Sequence, residues 1–244
     1  MENNRLHLLD TIRGITVISM VFYHALWNLA YMHGVKISWF WGDLGAFWQQ
    51  SICCTFIFLS GFCRGLGSKH LKRGLLVFGG GLIVTAATFV VMPNYPIIFG
   101  ILTFLGTAML ILIPFEKILL KIPHAVGAVI FFVLFLLFKN CNLGFLGFGE
   151  LNLIKLPDFL YSNYLTAFLG FPKATFVSSD YFSLFPWLFL FICGFYFCQI
   201  FKSNDLLRYL KSKPVFLLGF IGKNSFIIYL AHQPILYLVF SLIF

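Results

Sequence analysis

The sequence predicts an all-α, polytopic membrane protein of about seven transmembrane helices, with its amino terminus in the cytoplasm. Three observations predict it. The first is polarity: of the 244 residues 60% are hydrophobic and 10% charged, and the mean hydropathy is +0.93. A soluble domain carries about 25% charged residues, so this chain lacks the polar side chains to cover a globule. The second is continuity: near-uncharged apolar runs of the length that crosses a bilayer, about 20 residues, recur along the chain. They do not alternate as barrel strands do, which leaves helices as the spanning structure. The third is the distribution of positive charge.

The spans are expected near Leu8–Tyr31, Phe47–Leu66, Gly74–Met92, Ile97–Phe115, His124–Phe138, Tyr181–Phe201 and Asn224–Phe244. Turn signals separate them. Pro93-Asn94-Tyr95-Pro96 reads as a tight connection, and Pro123 and Pro214 are placed to open helical segments. The longest connection, Lys139 to Asp180, is rich in Gly, Asn and Pro but carries apolar pieces such as Tyr161–Phe171. It reads as partly re-entrant or lying on the membrane rather than as an eighth span.

Positive charge orients the chain, because short cytoplasmic loops hold an excess of Lys and Arg. With the amino end inside, the cytoplasmic set is Arg5, Arg13, Arg64, Lys69, Lys72, Arg73, Lys117, Lys121, Lys202, Arg208, Lys211, Lys213 and Lys223. The other side keeps Lys36, Lys139, Lys155 and Lys173, which is 13 against 4 of the 17 Lys and Arg. Topology thus accounts for the net charge of +9 without a nucleic-acid partner. The opening segment is interrupted by Asp10 and Arg13 and has no small-residue cleavage site, so the first span is expected to be retained. No internal repeat is visible, and residues 1–244 read as a single membrane domain. The six cysteines show neither a disulfide framework nor metal-ligand spacing, and no metal is expected.

Ionisable groups inside spans are costly and face protein or a watery cavity. The first span carries Asp10, Arg13, His24 and Asn28, with Tyr31 beyond. Their spacing keeps all five on one stripe about 60° wide. His24 lies about 21 Å along the helix from Asp10. The last span holds Ser225, Tyr229, His232 and Gln233, followed by Pro234, and the first three share a face by the i, i+4, i+7 rule. Read alone, His24 can be a structural histidine bonded to a neighbouring helix, but a mid-span His followed by an Asn one turn later favours a functional group. Asp10 with Arg13 reads as an interfacial ion pair, although Arg13 can also meet a phosphate. His33 and Tyr31 taken singly belong to a loop and an aromatic belt. The cationic run from Arg64 to Arg73 serves topology, or binds an anionic group.

Five stretches in order carry a resemblance. They are Arg5…Leu9-Asp10-Thr11-Ile12-Arg13-Gly14…Met20-Val21-Phe22-Tyr23-His24; Phe58-Leu59-Ser60-Gly61; Ile98-Phe99-Gly100-Ile101-Leu102 with Leu105-Gly106; Phe185-Pro186-Trp187…Gly194; and Asn224-Ser225…Ile228-Tyr229-Leu230…His232-Gln233-Pro234. Together they resemble the heparan-α-glucosaminide N-acetyltransferase catalytic-domain family of transmembrane acyltransferases, in its compact prokaryotic form. The resemblance implies a multi-pass enzyme of a bacterial cytoplasmic membrane that moves an acetyl group from acetyl-CoA to an amino-sugar or similar glycan acceptor. The donor would enter from the cytoplasm. By position His24 ends the opening motif and is the first candidate for the catalytic histidine. In the animal branch that histidine lies further on, between the first two spans, where His33 is the nearest match.

The chemistry agrees with this. Acyl transfer from a thioester needs a base for the acceptor, or an imidazole that itself carries the acyl group. Asn28 and Tyr31 are placed to orient such a histidine or to meet the oxyanion. The phosphates of CoA need cations, which Arg13, Arg64, Lys69, Lys72 and Arg73 supply on the cytoplasmic side. The competing class is a transporter of a small polar or anionic solute or lipid, since a polar stripe and a proline-broken last helix also describe a solute pathway. Seven spans do not divide into two repeats, which counts against it. A non-catalytic scaffold leaves the polar stripe unexplained. Self-association is left open by the sequence.

Overall fold

The computed structural model describes residues 6–211, 213 and 215–243. Arg5, Pro214 and Phe244, used above as motif residue, helix opener and span end, lie outside the described residues. The helices are α1 (His7–Trp27), extended by a π-helical turn at Asn28–Met32, α2 (Asp43–Leu66), α3 (His70–Val91), α4 (Ile101–Leu119), α5 (His124–Leu137), α6 (Tyr164–Leu169), α7 (Leu184–Ser203), α8 (Phe216–Lys223) and α9 (Ser225–Ile243). All but α6 and α8 are long and apolar enough to cross a membrane, which makes seven crossing helices. The all-α, seven-span expectation therefore holds. Among the described residues the sheet content is one antiparallel hairpin, β1 (Phe145–Phe148) with β2 (Leu151–Lys155).

The chain forms two compact units, one from Met1–Leu59 and Phe201–Phe244, the other from Ser60–Ile200. In the first unit small residues let backbones meet. Gly14 of α1 faces the Leu218 carbonyl of α8, and Gly222 of α8 faces the Asp10 carbonyl of α1. Beyond them Val17, Met20 and Ile52 form a small core covered by Ile221, Ile228 and Tyr229. Trp48 of α2 donates its indole N–H to the Ser19 hydroxyl at 2.7 Å, which satisfies both polar groups within the span. α9 runs beside α1 in the same direction: His232 meets His24, Gln233 meets Asn28 and Phe240 meets His33, in order along both. α9 also continues as helix through Pro234.

In the second unit α7 is the most buried span, with Phe191, Phe195 and Tyr196 at 0% exposure. The Tyr196 hydroxyl donates to the Leu119 carbonyl at 2.8 Å. Its ring occupies the space over Gly127 of α5, where a side chain would collide with it. α3 and α4 interlock through Gly81 against Thr103 and Gly106 against Phe78.

The start of the fourth span differs from expectation, while the long connection, as expected, adds no eighth span. The fourth span starts at Ile101 rather than Ile97, because the backbone of Ile98 and Phe99 is used to bind the chain returning from the long connection. The Ile98 amide donates to the Ser178 hydroxyl and its carbonyl accepts from it, both at 2.9 Å, and the Phe99 carbonyl accepts from the Phe182 amide at 2.8 Å. Phe99 adopts a left-handed φ of 55° to do so, a conformation uncommon for a bulky residue. The long connection itself holds no crossing helix. It folds as the hairpin, turning at Gly149 (φ 57°), and as α6 within the apolar piece. The Asn140 side chain pins the hairpin, donating to the Gly149 carbonyl and the Asn152 side chain, each at 2.9 Å.

Candidate active site

The site is built where α1 and α9 lie side by side in the first unit. At its foot Arg13 donates to the Asp10 carboxylate at 3.1 Å and to the Gly222 carbonyl at 3.4 Å. Asp10 is 7% exposed, so the pair spans the junction of α1 and α8 as a charge-assisted contact. Thr16 donates back to the Ile12 carbonyl at 2.8 Å, which removes its hydroxyl from the polar stripe.

Further along, half-buried His24 meets buried His232. His24 Nδ1 and His232 Nε2 are 3.1 Å apart, with ring centroids at 4.9 Å. The other nitrogen of His232, Nδ1, lies 2.5 Å from the Tyr229 carbonyl oxygen. The sequence selects Tyr229 for its phenol, but that ring packs in the apolar core. It also lies beside the His232 ring, with centroids 5.2 Å apart, but the hydrogen bond to the histidine pair comes from the Tyr229 backbone, and no periodicity argument points to a carbonyl. Ser225 opens α9 at its first turn.

One turn beyond His24 the helix widens into the π-turn, a local form that inserts an extra residue and recurs at functional sites. Asn28 begins it. Asn28 is 1% exposed and its Nδ2 donates to Gln233 Oε1 at 3.4 Å, while its Oδ1 is buried with no hydrogen-bond partner. An unsatisfied buried acceptor costs about 1–3 kcal/mol. A π-turn advances the chain by a smaller angle per residue, so Tyr31 leaves the stripe. It is 43% exposed, stacks on Trp27 at 5.0 Å and packs against Trp41 at 4.2 Å. His33 is half-buried with its ring 6.1 Å from that of Phe240. Phe240 lies eight residues past His232, or about 12 Å further along α9.

The cations of the second unit divide into two kinds. The Arg64 side chain is 2% exposed and bonds Glu116 of α4 at 2.9 Å, with its Nε and Nη1 buried and unpartnered. Glu116 is a residue that sequence reasoning passed over, although a lone carboxylate beside Ile113-Pro114-Phe115 was a signal that it has a fixed partner. Lys69, Lys72 and Arg73, by contrast, stand exposed at the start of α3. Among the described residues no group of three or more His, Cys, Asp or Glu side chains gathers.

A family model described as heparan-alpha-glucosaminide N-acetyltransferase, catalytic, matches residues 5–234 of the chain. The matched stretch takes in the polar residues of both α1 and α9. No curated protein and no solved structure matches the chain significantly.

Proposed function

The chain belongs to the heparan-α-glucosaminide N-acetyltransferase catalytic family, whose members are membrane acetyltransferases, and from that premise we propose that it moves an acetyl group from acetyl-CoA to an amino-sugar or similar glycan acceptor, with His24 as the working histidine. The observation that carries this reading is the His24 imidazole, held by His232 and placed one turn from an Asn28 oxygen that is buried without a partner.

In the reaction the acceptor nitrogen or oxygen attacks the thioester carbonyl, and the C–S bond of the donor breaks. His24 takes the proton that the acceptor loses, and the departing CoA thiolate takes one up in turn. If His24 carries the acyl group instead, the same imidazole lone pair attacks first and the acceptor displaces it. Asn28 Oδ1 accepts hydrogen bonds only, so it suits an N–H or O–H of the acceptor rather than an oxyanion. His33, near the far end of α9, lines the acceptor entrance in this reading.

On the donor side Lys69, Lys72 and Arg73 are the cations of the loop that a CoA phosphate can reach. Arg64 is buried on Glu116, and Arg13 is engaged by Asp10 and Gly222. The charge asymmetry argues that the amino end and these cations face the cytoplasm, and the resemblance to the compact prokaryotic form points to a bacterial membrane.

The test is His24→Ala in purified protein. Acetyl transfer falls at least about a hundredfold, the low end of a general base's contribution, while acetyl-CoA binding stays nearly intact. Radioactive acetyl-CoA supplied without acceptor labels the protein only on the acyl-carrier route. An active His24→Ala protein beside an inactive His33→Ala protein overturns the assignment. Solute uptake into vesicles without acetyl transfer overturns the enzyme.

A further inference from the structure

The pair of histidines raises a question the reaction does not answer: which nitrogen of His24 holds its proton. A carbonyl oxygen only accepts hydrogen bonds, so the 2.5 Å contact with Tyr229 requires the proton of His232 to sit on Nδ1. In a neutral imidazole that leaves Nε2 of His232 as an acceptor. The group it faces at 3.1 Å, His24 Nδ1, must then be the donor.

We propose that His232 is a positioning residue, which through the relay Tyr229 carbonyl, His232 and His24 holds His24 in the tautomer protonated at Nδ1 and so presents an unprotonated Nε2 to the substrates. The role resembles that of the carboxylate behind the histidine of a Ser-His-Asp triad, which fixes the tautomer and steadies the imidazolium without itself becoming protonated. The difference is charge. A neutral imidazole in place of a carboxylate orients His24 without adding a buried anion within the span, where an ion is expensive. When His24 Nε2 takes the acceptor's proton, the Nδ1–H bond to His232 strengthens, and no second proton needs to move. Gln233, the next residue on α9, bonds Asn28 and fixes the register of the two helices at the same level.

The consequence for catalysis rests on the reading of His24 as the acyl-transfer histidine; the tautomer does not. The experiment therefore has two arms. Ring-nitrogen NMR of isotope-labelled histidine in the full chain, in lipid nanodiscs, reports which nitrogen of each ring is protonated. His24 is assigned among the six histidines by the signal lost in His24→Gln. The expected result is a protonated Nδ1 and a bare Nε2 at His24; a proton on Nε2 overturns the relay whatever the activity. In the second arm His232→Ala lowers the turnover of acetyl transfer roughly tenfold to a hundredfold, the range for partners that orient a working imidazole. His232→Gln, whose Oε1 can accept from His24, recovers most of it, with little change in acetyl-CoA affinity in either variant. Equal turnover in the Ala and Gln variants overturns the positioning role. The stated tautomer together with a fully active His24→Ala protein upholds the relay and removes His24 from the chemistry.

Discussion

Gly222 of α8 lies with its bare α-carbon against the backbone carbonyl of Asp10, so close that a methyl group at that position would overlap the oxygen. The carbonyl of Gly222 in turn accepts from Arg13, the ion-pair partner of Asp10. With Gly14, this glycine sets how near α8 comes to α1, and its carbonyl closes the foot of the polar stripe.

Gly222→Ala is expected to destabilise the first unit by about 1–3 kcal/mol, the usual cost of overpacking a close contact. Thermal unfolding in detergent checks it. Gly219→Ala on the same helix, where an added methyl meets nothing, should leave the midpoint close to that of the parent. Equal midpoints for both variants would contradict the close packing.

Glu116→Gln strands the buried Arg64 guanidinium without its counter-charge. Removing one partner of a buried pair costs about 3–5 kcal/mol; Glu116 is 30% exposed on its side chain, so about 2–3 kcal/mol is expected here. The double change Arg64→Met with Glu116→Leu should recover much of that loss. Chemical denaturation in micelles measures all three proteins.

The triple change Lys69→Gln, Lys72→Gln, Arg73→Gln should weaken acetyl-CoA binding and flatten its dependence on salt, because phosphate contacts are charge-assisted. Binding titrations at two ionic strengths provide the readout. Unaltered affinity at both would remove these cations from the donor site.

A cysteine placed at Gly67 in a cysteine-free background should react only with reagent on the cytoplasmic side, and one at Asn142 only with reagent outside. The 13-to-4 division of cations predicts this. Labelling of both from one side would reject the seven-span orientation.

Much of this architecture was legible in the sequence, since the length and continuity of apolar runs are what a bilayer selects. The polar residues of α1 and α9 were legible too, because an ionisable side chain in a span stands out against its neighbours. Their partnership was not. Helical phase gives the face on which His24 and His232 lie, but nothing in it says that residues 208 positions apart will meet. The π-turn was hidden because Asn28-Leu29-Ala30-Tyr31-Met32 reads as ordinary helix, and Tyr31 was placed on the stripe accordingly. The start of α4 was obscured by Ile97-Ile98, whose apolar side chains extend the run although the Ile97 amide binds Thr88 and the Ile98 backbone binds Ser178. Arg64 belongs by sequence to a cationic loop, whereas its burial depends on Glu116, which only the folded second unit brings to it.

The separation of the two histidines also has a consequence in time. His24 leaves the ribosome well before His232, and the whole of the second unit is made between them. At about 5–20 residues per second, synthesis of the intervening 208 residues takes roughly 10–40 s. Throughout that interval α1 already carries its imidazole and its Asn28 oxygen, but α9, which orients the one and bonds the side chain of the other, does not yet exist. The nascent chain therefore cannot assemble the histidine pair while it is being inserted, and a product cut short before α9 would hold a full set of first-helix polar groups with nothing to aim them.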